Sequence, residues 1–95
     1  MSTREAYLDK MKAQLDEWNA EIDRIEAQAR GVQADARIRY EKQLASMRMQ
    51  REQFRERMRD INEASEEAFE RVREGVSGAW DELARAFSEA AEKFR

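Results

Sequence analysis

The chain has 95 residues, of which 41% are charged and 41% hydrophobic, with three glycines and no proline, cysteine or histidine. This length limits the chain to one small domain, and the missing residue types exclude disulfides, thiolate chemistry and the commonest general base. The net charge of −3 does not favour a general nucleic-acid binder. So few turn formers among so many strong helix formers are typical of long helices and coiled coils.

The first predicted segment, residues 3–36, carries apolar residues at alternating spacings of three and four, from Leu8 to Ala36. This heptad repeat favours helices that wind into a left-handed supercoil. On the other side of the helix, alanine recurs every seven residues from Ala6 to Ala34, and aspartate recurs from Asp9 to Asp23. We interpret the alanine stripe as a solvated face of high helix propensity, with a second packing face for another helix as the alternative.

The middle segment, residues 37–60, continues the apolar stripe through a local 4-4-3 insertion at Ala36, Tyr40, Leu44 and Met47. Arg51 occupies a stripe position, where we expect its stem to lie along the seam and its guanidinium to reach water. Charge is segregated, with net +3 over residues 31–60 between −2 over 1–30 and −4 over 61–95. A basic middle between acidic ends would suit a chain that folds back on itself.

Four arginines of the middle segment also form one helical stripe: Arg48, Arg51, Arg55 and Arg59. Such a stripe could contact a phosphate backbone, but the interleaved glutamates favour a salt-bridged or solvated face.

The last segment, residues 61–95, repeats at eleven residues, so that Ile61, Val72, Leu83 and Phe94 occupy equivalent positions. An eleven-residue period relaxes or reverses the supercoil of a heptad repeat. The apolar face here is wider than the heptad seam, which suits a bundle of three or more helices or a membrane surface.

The apolar phase is unbroken from Leu8 to Phe94, and this favours one continuous helix, which would be about 140 Å long. The charge pattern instead favours a hairpin. Its best turn is Asn62 to Ser65, where Asn62 could end one helix in the left-handed conformation and Ser65 could cap the next, and a second candidate is Gly31 to Asp35. We predict an all-α, extended coiled coil made of one long helix over residues 1–95, with a helical hairpin turning near 62–65 as the alternative.

A single helix with this stripe exposed needs a partner, so we predict a homo-oligomer that has no cofactor, no metal site and no catalytic residue. The predicted interface consists of the large side chains of the stripe: Leu8, Met11, Leu15, Trp18, Ile22, Ile25, Val32, Tyr40, Leu44, Met47, Phe54, Met58, Ile61, Val72, Val76, Trp80, Leu83, Phe87 and Phe94.

The stretches MKAQLDEWNAEIDRIEAQA and SEEAFERVREGVSGAWDELARAFSEAAEKF resemble a family of short, uncharacterised bacterial coiled-coil proteins. The resemblance implies a bacterial, all-helical protein and supplies no activity or site residues. The last segment is also similar in repeat style to exchangeable apolipoproteins, but it lacks their prolines between repeats and its polar face is mostly acidic.

Taken together, these features predict a non-enzymatic structural or scaffolding protein that presents a helical surface to itself or to another protein. Without a bilayer-spanning run or a signal-peptide profile, the predicted compartment is the cytoplasm, and we expect no small-molecule substrate. The alternative is peripheral membrane association through Phe69, Trp80, Phe87 and Phe94. Nucleic-acid binding through the arginine stripe is a third and less favoured hypothesis.

Overall fold

The computed structural model describes residues 2–94 as three α-helices, α1 (Thr3–Ala29), α2 (Ala34–Glu63) and α3 (Phe69–Glu92). The chain reverses direction at each link, so α2 runs antiparallel to both α1 and α3. The bundle measures 53 × 21 × 19 Å. The prediction of one continuous coiled-coil helix is therefore wrong, and a single hairpin is also insufficient, because the chain turns twice.

The first link, residues 30–33, follows from local hydrogen bonding at the end of α1. The Gly31 amide donates to the Gln28 carbonyl at 3.0 Å, which tightens the last turn. Arg37 of α2 then reaches back, and its guanidinium donates to the carbonyls of Ala29 (3.3 Å) and Val32 (3.4 Å). A cation at a helix C-terminus satisfies orphan carbonyls and complements the helix dipole. The turn thus overlaps the second candidate segment, Gly31 to Asp35, although Ala34 and Asp35 already belong to α2.

The second link, residues 64–68, is built around Ser65. Its hydroxyl oxygen accepts a hydrogen bond from the Ala68 amide at 3.2 Å, three residues ahead, as a helix-capping serine does. Regular helix then begins at Phe69 rather than at Glu66. Asn62 remains inside α2, and no residue in the described range 2–94 has a positive φ, so the expected left-handed asparagine is not used.

Both links are short, and this explains why the unbroken apolar spacing wrongly predicted one continuous helix. The seam continues across both of them, with Val32 half-buried in the first link and Ala68 half-buried in the second. A 3-4 stripe shows which side of a helix is buried but not which surface buries it. Here the stripes of α1, α2 and α3 face one another within one chain.

The core is a column of aliphatic side chains with an aromatic centre. Trp18 of α1 stacks on Phe87 of α3, with ring centroids 4.6 Å apart and planes 9° apart. Phe54 of α2 packs against Trp18 at 4.9 Å and against Trp80 at 5.0 Å. Because these rings come from all three helices, they hold the middle of the bundle together. Aromatic pairs of this kind stabilise a fold beyond the contribution of the apolar area that they bury.

The predicted interface residues lie mainly inside this bundle. Eleven of them are buried: Met11, Trp18, Ile22, Ile25, Leu44, Met47, Phe54, Ile61, Val76, Leu83 and Phe87. Seven are partly buried against that core: Leu8, Leu15, Tyr40, Met58, Val72, Trp80 and Phe94. Val32 lies in the first link. The apolar seam is therefore covered within the chain and does not by itself require association. Association needs other surfaces.

Candidate interaction surfaces

A groove opens between the first turns of α2 and the end of α3. It has a volume of about 740 Å³ and is lined by Arg39, Tyr40, Lys42, Gln43, Lys93 and Phe94. We call this set the basic groove. The antiparallel course of α2 and α3 brings these residues together from opposite ends of the last two-thirds of the sequence.

A pair of aromatic rings forms the apolar part of the basic groove. Tyr40 and Phe94 stack with centroids 4.3 Å apart and planes 20° apart, and both residues are half-buried. They extend the core to the end of the bundle while leaving part of their surface open. The groove therefore offers an apolar contact beside charged groups.

The charged part of the basic groove consists of Arg39, Lys42 and Lys93, all exposed. Within residues 2–94 none of the three forms an ion pair or a hydrogen bond through its side chain. Among residues 2–94, no carboxylate lines the groove. Three uncompensated cations close together produce a positive local potential that favours an anionic partner.

The outward side of α1 has the opposite character. A stripe with alternating steps of three and four residues runs along the helix and holds only alanine and aspartate: Ala6, Asp9, Ala13, Asp16, Ala20, Asp23 and Ala27. We call it the acidic face. Every member is exposed, and the three aspartates form no ion pair or side-chain hydrogen bond with any residue from 2 to 94. The face is smooth because its apolar members are no larger than a methyl group.

The arginine stripe of α2 is mostly engaged within the chain. Arg48 pairs with Glu26 of α1 at 3.5 Å, and Arg55 pairs with Glu52 at 2.7 Å. Arg51, which is half-buried in the seam, donates to the Asn19 side chain at 3.2 Å. Three of the four arginines of the stripe are thus engaged within the chain, whereas Arg59 forms no ion pair within residues 2–94.

Two further guanidinium groups have pKa values raised above the ordinary arginine value, and both lie outside the basic groove. The hydrogen bond to Glu21 raises the pKa of Arg24, and that to Glu70 raises the pKa of Arg73. Both are surface pairs three residues apart on one helix, and such pairs contribute to helix stability rather than to chemistry.

Residues 2–94 hold neither a candidate metal site nor a helix suited to cross a bilayer. In that range no three acidic, cysteine or histidine side chains are gathered so that they could hold a metal ion. None of the three helices there has both the length and the apolar content that crossing a bilayer requires. Comparisons with protein-family models, with curated proteins and with solved structures give no match to this chain.

The apolar spacing predicts Tyr40 and Phe94 as interface residues, and the alternative interpretation of the alanine stripe is a second packing face. The sequence does not show how these surfaces lie relative to one another. Arg39, Lys42 and Lys93 carried no signal of their own, because scattered cations are common on helix surfaces. Only the two turns place them around one aromatic pair.

Proposed function

We propose that this chain is a non-enzymatic structural protein of the cytoplasm, which self-associates and presents a helical surface to a partner. The observation that carries the proposal is the basic groove, where three unpaired cations surround a half-open aromatic pair. Interfaces typically combine an aromatic contact with complementary charge in this way.

The remainder of the bundle serves as a scaffold for that groove. Tyr40 and Phe94 are continuous with the core through the stripes of α2 and α3, so their positions are set by the same packing that stabilises the fold. The α2 side of the groove, with Arg39, Tyr40 and Lys42, belongs to a regular helix and needs little ordering when a partner binds, which reduces the entropic cost of association.

Membrane association has less support as an alternative. The broad apolar face of α3, including Val76, Leu83 and Phe87, is buried against α1 and α2. Lipid contact through that face would require the bundle to open. Nucleic-acid binding is weakened similarly, since Arg48, Arg51 and Arg55 are engaged within the chain.

Sedimentation equilibrium over a range of micromolar concentrations tests the proposal. We expect the average mass to rise above 11.3 kDa as concentration increases. Fluorescence anisotropy with a labelled single-stranded RNA provides the comparison with the nucleic-acid hypothesis, and we expect no binding at physiological salt. A chain that stays monomeric and binds the RNA would overturn the proposal.

A further inference from the structure

We propose that the basic groove of one copy binds the acidic face of α1 of a second copy. The inference rests on the proposed function and names the two surfaces that meet. Both carry charge without a partner, and the charges are opposite, with Arg39, Lys42 and Lys93 on one side and the aspartates of α1 on the other.

The spacing of the acidic face suits a helix lying against the groove. Its aspartates recur every seven residues, about 10.5 Å apart along the helix, so one or two of them can reach the three cations together. Alanine fills the positions between them, which allows the rings of Tyr40 and Phe94 to approach the helix backbone closely. A larger side chain at Ala13 or Ala20 would hold the two surfaces apart.

The two surfaces cannot satisfy each other within one molecule. Met11, Ile22 and Ile25 point from α1 into the core, and the acidic face lies on the opposite side of the same helix. It therefore points away from its own bundle and away from the groove between α2 and α3. Only another copy can bring an acidic face to a basic groove.

Because the acidic face points away from the groove of its own bundle, two copies cannot make both contacts at once across a two-fold axis, and the contact is head-to-tail. In a pair, one copy keeps its acidic face free and the other keeps its groove free, so copies add in sequence until the assembly closes into a ring or continues as a filament. Association that depends on exposed charge also weakens with salt, since the Debye length falls to about 3 Å at 1 M ionic strength.

Charge reversal of each surface separately tests the proposal. The groove variant carries Arg39→Glu, Lys42→Glu and Lys93→Glu, and the face variant carries Asp9→Lys, Asp16→Lys and Asp23→Lys. All six positions are exposed, and none of their side chains is paired within residues 2–94, so both variants should fold, which circular dichroism checks. We expect each variant alone to self-associate at least tenfold more weakly than the wild type, and an equimolar mixture of the two to associate again.

The matched control reverses three other exposed and unpaired cations, with Arg59→Glu, Arg71→Glu and Arg85→Glu, and gives the same net charge as the groove variant. It should associate as the wild type does. Association that survives in both test variants would overturn this inference and leave the proposed self-association standing. A wild type that stays monomeric but binds a poly-glutamate peptide through the groove would overturn this inference and the proposed self-association, in favour of a foreign acidic partner.

Discussion

The guanidinium of Arg4 donates a hydrogen bond to the main-chain carbonyl of Ile61 at 2.7 Å, joining the start of α1 to the end of α2. The same group donates to the Asn62 carbonyl at 3.2 Å and lies 5.3 Å from the ring centroid of Phe69. Arg37 makes the equivalent contact at the other end of the bundle, with the carbonyl of Ala29, the last residue of α1. Each helix that ends at a link is thus closed by an arginine from another helix.

Replacing Arg4 should lower the stability of the bundle. Arg4→Met removes two hydrogen bonds to helix-terminal carbonyls and a cation–π contact, and we expect the free energy of unfolding to fall by about 1–2 kcal/mol. Urea denaturation followed by circular dichroism measures the change. Lys12→Met, at an exposed position of α1 without such contacts, is the control and should stay within about 0.5 kcal/mol. Equal effects of the two substitutions would show that the contacts of Arg4 do not stabilise the bundle.

The glycines of α3 should be replaceable with a gain in stability. Gly75 and Gly78 lie inside the helix without positive φ, and a methyl group at either position would meet no atom within 4 Å. Because glycine disfavours helix through its backbone freedom, Gly75→Ala and Gly78→Ala should each add about 1 kcal/mol to the free energy of unfolding.

Thermal unfolding measures this gain, and the reverse change at an exposed helix position serves as its control. Ala45→Gly on α2 should lower stability by a similar amount. A loss of stability in Gly75→Ala or Gly78→Ala would show that those positions need glycine for close approach to another surface.

The aromatic centre should dominate the stability of the fold. Phe54 is fully buried between Trp18 and Trp80, and Phe54→Ala should cost about 3–5 kcal/mol, through lost burial and the cavity left behind. Met49, which is 54% exposed on the outer side of the same helix, supplies the comparison. Chemical denaturation of Met49→Ala should show a change within about 0.5 kcal/mol, and comparable losses in both variants would contradict the observed orientation of α2.

An intrachain distance can test whether α2 and α3 pack antiparallel to each other. The chain has no cysteine, so spin labels attached to Glu41→Cys and Glu89→Cys report on one pair of positions. Antiparallel packing of α2 and α3 should place the labels within about 30 Å, given axes about 8–10 Å apart, whereas a continuous helix would separate them by about 70 Å. Dilution with unlabelled chains removes distances between copies, and a long distance would refute the bundle.

The sequence predicts which residues of each helix are buried, because burial along a helix depends on the spacing of its apolar residues. Ile22 and Phe54 lie on a 3-4 stripe, and both are fully buried, whereas Ile38 lies off it and is 69% exposed. The surface that covers a residue depends on where the chain turns. Gly31 and Ser65 are local turn signals. The unbroken apolar spacing nevertheless favours a continuous helix, because links of four and five residues can preserve that spacing.

The basic groove could not be predicted for the same reason. Tyr40 and Phe94 lie far apart in the sequence, and their stacking follows from the reversal of the chain between α2 and α3. The neighbouring cations belong to different segments and have no shared periodicity. The acidic face, by contrast, belongs to one helix, and its repeat is visible in the sequence alone.

Trp80 provides the last prediction, which concerns membranes. Its indole nitrogen donates to the Gln14 side chain at 3.3 Å, and its ring packs edge-on against Tyr7 and Phe54. Trp18 is buried, and Trp80 is partly buried against the core. Because both indoles already have apolar surroundings, anionic vesicles at physiological salt should leave the emission maximum unchanged.

The charge of α3 leads to the same expectation. Residues 61–95 carry a net charge of −4, and anionic lipid surfaces attract basic segments, so electrostatics would not draw this helix to the bilayer. Fluorescence spectra with and without vesicles, together with vesicle flotation, make the measurement. A blue shift accompanied by flotation would mean that the bundle opens on lipid and exposes Val76, Leu83 and Phe87. The apolar face of α3 would then have a second partner besides the core.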